Sequence, residues 1–134
     1  PIITTDAPGC RETVRHGDHY LKMNGKAVLH RAVDALASSS IDALRSGGYT
    51  PEDVKWFVPH QSNVRIIFAA AEKMGVAFER FMINIDRVGN MSAASIPVAL
   101  DELVRRGDVE PGDLIVLAGY GAGMTQAAVA IRWA

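Results

Sequence analysis

The chain has 134 residues, room for one ordinary domain and too little for two. Its 49% hydrophobic and 22% charged residues are the composition of a globular protein. A net charge of −1 excludes bulk attraction to nucleic acid or to an anionic membrane, and no apolar run reaches the roughly 20 residues that span a bilayer.

The first residues, Pro1-Ile2-Ile3, carry no initiator Met, as expected of a fragment or a processed product, and no signal-peptide pattern is present. Cys10 is the single cysteine, so no internal disulfide is expected and a reducing, cytoplasmic setting fits. Of the four histidines, His16, His19, His30 and His60, only the first two lie close together. No carboxylate or third histidine falls at ligand spacing beside them, and no metal site is expected.

Residues 1–18 are rich in Thr, Gly, Asp and Arg without periodicity and read as a loop or partial edge segment; the domain proper is taken as 19–134. From Tyr20 onward, Val28, Leu29, Ala32, Val33, Leu36, Ala37, Ile41 and Leu44 recur at steps of three and four, which predicts an amphipathic helix. Gly47-Gly48 ends it. Thr50-Pro51-Glu52-Asp53 predicts a short helical turn capped by Thr50, with Pro51 in its first position. Lys55 to Pro59 is a short apolar strand. A second helix follows, with Val64, Ile67, Phe68, Ala71 and Met74 on one face and Gly75 closing it. Phe81 to Ile85 is the next predicted strand.

After a Gly-Asn-Met-Ser loop, a third helix places Ile96, Ala99, Leu100, Leu103 and Val104 on one face, and Gly107 ends it. Leu114 to Ala118 is a continuous apolar strand of the kind buried on both faces. Gly119 to Gly123 is a glycine-rich loop, and Gln126 to Trp133 a last strand. This alternation predicts an α/β domain with a mostly parallel mixed sheet, helices on its faces and an antiparallel carboxy-terminal strand pair.

In such sheets functional side chains gather in loops beyond the carboxyl ends of the strands. Three loops qualify: 59–63 with His60, 87–92 with Asn90, and 119–125 with its glycines. Histidine suits proton donation near neutral pH. Singly, each signal has an ordinary alternative. His60 reads equally as a histidine bonded to backbone at a strand end, and Gly89-Asn90 as turn chemistry. The glycine loop lacks the Gly-Lys-Ser/Thr ending of a phosphate-binding loop and leads into a strand. An oxyanion-binding turn or a tight hairpin fits it better.

Four ordered motifs together are more specific. Tyr20-Leu21-Lys22-Met23-Asn24-Gly25-Lys26 is followed in one register by Trp56-Phe57-Val58-Pro59-His60-Gln61, then by Asp86 to Pro97 around Gly89-Asn90-Met91-Ser92, and last by Gly119-Tyr120-Gly121-Ala122-Gly123-Met124-Thr125. From about His19 to its end the chain resembles the second half of the 3-oxoacyl-(acyl carrier protein) synthase III branch of the thiolase-like superfamily. Met91 and Ser62 depart from the family's usual Thr and Ala. Cys10 does not match the motif of the family's nucleophilic cysteine, which belongs to the first half. The resemblance further implies a central strand that residues 1–18 do not supply.

What the resemblance implies is a decarboxylating Claisen condensation of an acyl-CoA primer with malonyl-(acyl carrier protein), initiating fatty acid synthesis. His60 and Asn90 would donate to the thioester oxygen as an enolate forms. Backbone N–H groups of Gly121, Ala122 and Gly123 would help form a second oxyanion hole. Arg65, extended by Lys73, would dock the acidic carrier protein, although both also read as an ordinary solvated helix face. No cofactor beyond the coenzyme A thioester and carrier-protein substrates is implied. The implied partners are the amino-terminal half, the carrier protein, acyl-CoA and a second copy in a homodimer, without nucleic acid or membrane. A chain with the His/Asn half of such a site and no cysteine nucleophile is expected not to turn over alone. Two other readings remain at this stage: a non-catalytic relative that binds acyl or carrier-protein ligands, and a polyketide-priming synthase.

Overall fold

The computed structural model describes residues 25–134. The expectations for the segment 1–18, Cys10, His16, His19 and the motif from Tyr20 to Asn24 lie outside the described residues. Helix α1 spans Gly25–Ser46 and buries Ala32, Ala35, Leu36, Ala37, Ser39, Ser40 and Leu44. This face is wide because α1 lies on two strands and against a second helix at once. Ser39 is tolerated there because its hydroxyl donates to the Ala35 carbonyl at 2.6 Å. Gly48, at φ 75°, turns the chain out of the helix. The predicted turn at Pro51–Asp53 is a 3-10 turn, with the Asp53 carboxylate accepting from the Thr50 N–H at 2.8 Å and the Thr50 hydroxyl at 3.0 Å.

Among the described residues, three strands form the sheet in the order β1 (Val54–Pro59), β2 (Leu114–Gly121), β3 (Thr125–Arg132). β1 and β2 are parallel, while β2 and β3 form the expected antiparallel hairpin. Helix α2 (Val64–Met74) joins α1 on one face of the sheet, over Phe57, Leu114, Val116 and Ala118. Helix α4 (Ser95–Arg105) covers the other, with Ala99 and Leu103 packed on Val58 and Ile115. β2 is therefore apolar along both faces, as its unbroken hydrophobic run predicts.

Four details correct the sequence reading. Phe81 to Ile85 is not a strand: one bridge pairs Phe81 with Phe57, and Ile85–Val88 forms the short helix α3. The ladder stops there because the buried Gln61 side chain occupies the next backbone positions. Its Nε2 donates to the Met82 carbonyl at 2.9 Å and its Oε1 accepts from the Asn84 N–H at 3.1 Å. Secondly, β1 pairs directly with β2 and β2 with β3, so no central place is open and a further strand can join only at an edge. Thirdly, Gly119 to Gly121 belong to β2, and the hairpin turn is confined to residues 122–124. Lastly, α2 buries Ile66, Ile67, Ala70 and Ala71, leaving Val64 and Phe68 at 43% and 46% exposure. The alanines let α2 approach α1 closely, and Phe68 instead meets Phe78 edge-on, with ring centres 5.3 Å apart.

Candidate active site

A cavity of about 380 Å³ opens beyond the carboxyl ends of β1 and β2, a size suited to a small-molecule group. His60 and Asn90 both line it. Gly119, Tyr120 and Gly121 form the β2 side, and Ser92 and Ile96 the side of α4. Gly119 keeps the wall thin: a Cβ there would sit 3.3 Å from the Ile96 Cδ1.

His60 continues the parallel ladder, its N–H donating to the Ala118 carbonyl at 2.8 Å. The ring sits with Nδ1 2.6 Å from the Ser95 hydroxyl oxygen and with the Tyr120 ring edge-on, centres 5.5 Å apart. Burial pushes the imidazole pKa below its ordinary value, so the ring is neutral near pH 7. With Nδ1 engaged, Nε2 is the nitrogen left for the cavity.

Asn90 is aimed by its own loop. Its Oδ1 accepts from the Ser92 N–H at 2.9 Å, which identifies the oxygen and leaves the Nδ2 hydrogens for a ligand. Two unusual backbone positions make this turn. Gly89 has φ 69° and ψ −168°, a region almost reserved for glycine, and Ser92 has φ 51°. The segment ahead of the loop is tied to α4 through Glu102. That carboxylate accepts from Asn84 Nδ2 at 3.2 Å and pairs with the Arg87 guanidinium.

The remaining sequence candidates are distributed differently. Gly121 lines the cavity, whereas Ala122 and Gly123 are exposed at the hairpin tip. Arg65 is exposed in the first turn of α2, ordered by the Asn63 side chain, whose Oδ1 accepts from the Arg65 N–H at 2.9 Å. Lys73 lies about 12 Å further along that helix. Its Nζ is paired with Asp34 at 2.5 Å, which holds that exposed carboxyl below its ordinary pKa. Sequence reasoning missed Ser95, Gln61 and the Tyr120 hydroxyl, which contacts the Ser62 hydroxyl at the cavity wall. Burial raises the Tyr120 pKa, with the Ser62 bond partly opposing it. Each acts across a long sequence separation that no local pattern signals.

Residues 44–133 match the family model described as 3-oxoacyl-[acyl-carrier-protein (ACP)] synthase III C terminal. The chain belongs to this family. This synthase III C-terminal chain is 43% identical to the beta-ketoacyl-[acyl-carrier-protein] synthase III of Roseiflexus sp. (strain RS-1), over 98% of its own length and 42% of that protein's. The solved synthase III of Thermus thermophilus superposes with a TM-score of 0.81 at 46% identity, over 84% of this chain and 35% of that one. The priming beta-ketosynthase of the R1128 polyketide biosynthetic pathway gives 0.78 at 37% identity, over 84% and 34%. The synthase III C-terminal chain thus spans less than half the length of these relatives, and its fold is that of part of a thiolase-like enzyme.

Proposed function

We propose that this chain supplies the decarboxylation half of a condensing-enzyme active site. One observation carries the reading: two neutral side chains, each with one polar end anchored by the protein, line the same cavity. His60 Nε2–H and Asn90 Nδ2–H donate to the thioester oxygen of malonyl-(acyl carrier protein). The carboxylate leaves as carbon dioxide, and the electron pair of the broken C–C bond becomes an enolate whose charge those donors stabilise. The enolate carbon attacks an acyl thioester on a cysteine of the amino-terminal half. The tetrahedral intermediate, its oxygen held by the backbone N–H of Gly121, the member of the Gly121-Ala122-Gly123 run that lines the cavity, then expels the cysteine thiolate. Neutral donors suit this step because neither must lose or gain a proton as charge develops. The chemistry draws on coenzyme A and carrier-protein thioesters, with no further cofactor, in the cytoplasm.

Arg65 stands beside the exposed Val64 and Phe68 at one end of α2, combining positive charge with apolar area for an acidic carrier protein. Lys73 joins it by exchanging Asp34 for a carboxylate of the partner, since an exposed ion pair is held weakly. Exposed Val98 and Val104 on α4, and Val129 beside it on β3, suit a contact with the amino-terminal half. Homodimer formation belongs to the same reading.

In the whole protein, His60→Ala is expected to slow malonyl decarboxylation about 100- to 1,000-fold while cysteine acylation stays measurable. Near-normal decarboxylation would overturn the reading. It would favour the non-catalytic relative that only binds acyl or carrier-protein ligands. The likeness to the polyketide-priming synthase supports a second reading with the same chemistry and another pathway, which turnover with different acyl-CoA primers separates.

A further inference from the structure

Ser95 opens α4 and is fully buried. Its hydroxyl oxygen has three polar neighbours: the Gln61 N–H at 3.3 Å, the Ser92 carbonyl at 2.9 Å and His60 Nδ1 at 2.6 Å. A serine hydroxyl has one proton and two lone pairs. The Gln61 N–H can only donate to it and the Ser92 carbonyl can only accept. The direction of that single proton therefore decides the state of the histidine. Pointed at Ser92, it makes His60 donate through Nδ1–H and leaves Nε2 a bare acceptor. Pointed at Nδ1, it places the ring's own proton on Nε2.

We propose that Ser95 is the positioning residue that sets the tautomer of His60, its hydroxyl donating to Nδ1 so that Nε2–H is presented to the cavity. The inference rests on the reading of His60 as a donor to a developing oxyanion. Several observations support it. The serine hydroxyl is within hydrogen-bond reach of Nδ1, at 2.6 Å. The Ser92 carbonyl is not orphaned when the hydroxyl turns away, because it still accepts the Ser95 backbone N–H. Among the described residues, Ser95 is the ring's one hydrogen-bond partner, so it is the group able to bias a neutral imidazole.

The serine oxygen is itself placed independently of the histidine. The Gln61 N–H that reaches it belongs to a residue whose side chain is pinned by the Pro59 and Met82 carbonyls and the Asn84 N–H. One turn then aims both donors. The Ser92 N–H holds the oxygen of Asn90, and the first residue of the helix that follows holds Nδ1 of His60.

The test uses the whole enzyme labelled with 15N-histidine, the His60 signals being assigned by their loss in His60→Gln. Bare and protonated ring nitrogens have well-separated 15N shifts, so the tautomer is read directly. Wild type is expected to show Nε2–H, and Ser95→Ala to lose that preference. Decarboxylation by Ser95→Ala is expected to fall at least tenfold in kcat with little change in KM and with cysteine acylation retained, and Ser95→Thr, which keeps the hydroxyl, to recover most of the loss. A wild-type ring protonated on Nδ1 overturns the proposal, whether or not the alanine variant folds. So does Ser95→Ala with wild-type shifts and rate. If His60→Ala is inactive while Ser95→Ala is normal, this inference alone fails. Normal decarboxylation by His60→Ala removes the reading beneath it.

Discussion

His60 and Asn90 line one cavity, and each has one polar atom taken up by the protein and one left over. Their loops were legible in the sequence, since both follow apolar segments and both sit in motifs of fixed order. Ser95 and Tyr120 were not, because they matter only through contacts 35 residues away from His60 and 58 residues away from Ser62. A pH dependence follows from the burial of the imidazole. The unfolded chain takes up a proton at the ordinary histidine value of about 6.5, whereas folded His60 does so only at lower pH. Within that window the unfolded state binds more protons, so stability rises with pH. The contribution is complete above about 6.5 and is lost as pH falls towards the folded value. Urea unfolding of the whole protein between pH 7.5 and 5.5 is expected to show this loss, and His60→Gln to lack the part that His60 supplies.

Elements are positioned here as much by buried side chains as by backbone ladders. Gln61 is completely buried and replaces a strand partner, which is why the apolar run from Phe81 reads as a strand and forms a single bridge. A hydrophobic pattern reports what is buried; it does not report that a glutamine elsewhere has taken the backbone's hydrogen bonds. The face of α2 misleads for a related reason. Pattern reading places Val64 and Phe68 on the apolar face and passes over Ile66 and Ala70, yet the helix buries these two beside Ile67 and Ala71. Gln61→Met keeps the volume and removes all three bonds, to Pro59, Met82 and Asn84. The loss is expected to cost about 3 kcal/mol or more, since each buried orphan costs roughly 1–3 kcal/mol. Denaturant unfolding measures it, and the Asn90 loop is expected to loosen with it.

For the molecule as a whole, apart from the segment from Phe81 to Val88, helix and strand order and the hairpin were legible, because alternating periodicities and a short glycine turn constrain the connections. The side-by-side placing of β1 and β2 was not, since sequence order does not say which parallel strands are neighbours. The charged and apolar end of α2 leads to a prediction at this scale. Arg65→Glu is expected to raise KM for the carrier-protein substrate about tenfold with kcat nearly kept, because it acts on encounter and not on the reacting atoms. Steady-state kinetics at low salt will show this, and the gap should narrow as salt is raised. The hydrogen bond between His60 and Ser95 has its own consequence at this scale. It joins the end of β1 to the start of α4, so the imidazole is set only once that helix has docked. A nascent or half-assembled copy then holds a histidine without its orienting hydroxyl.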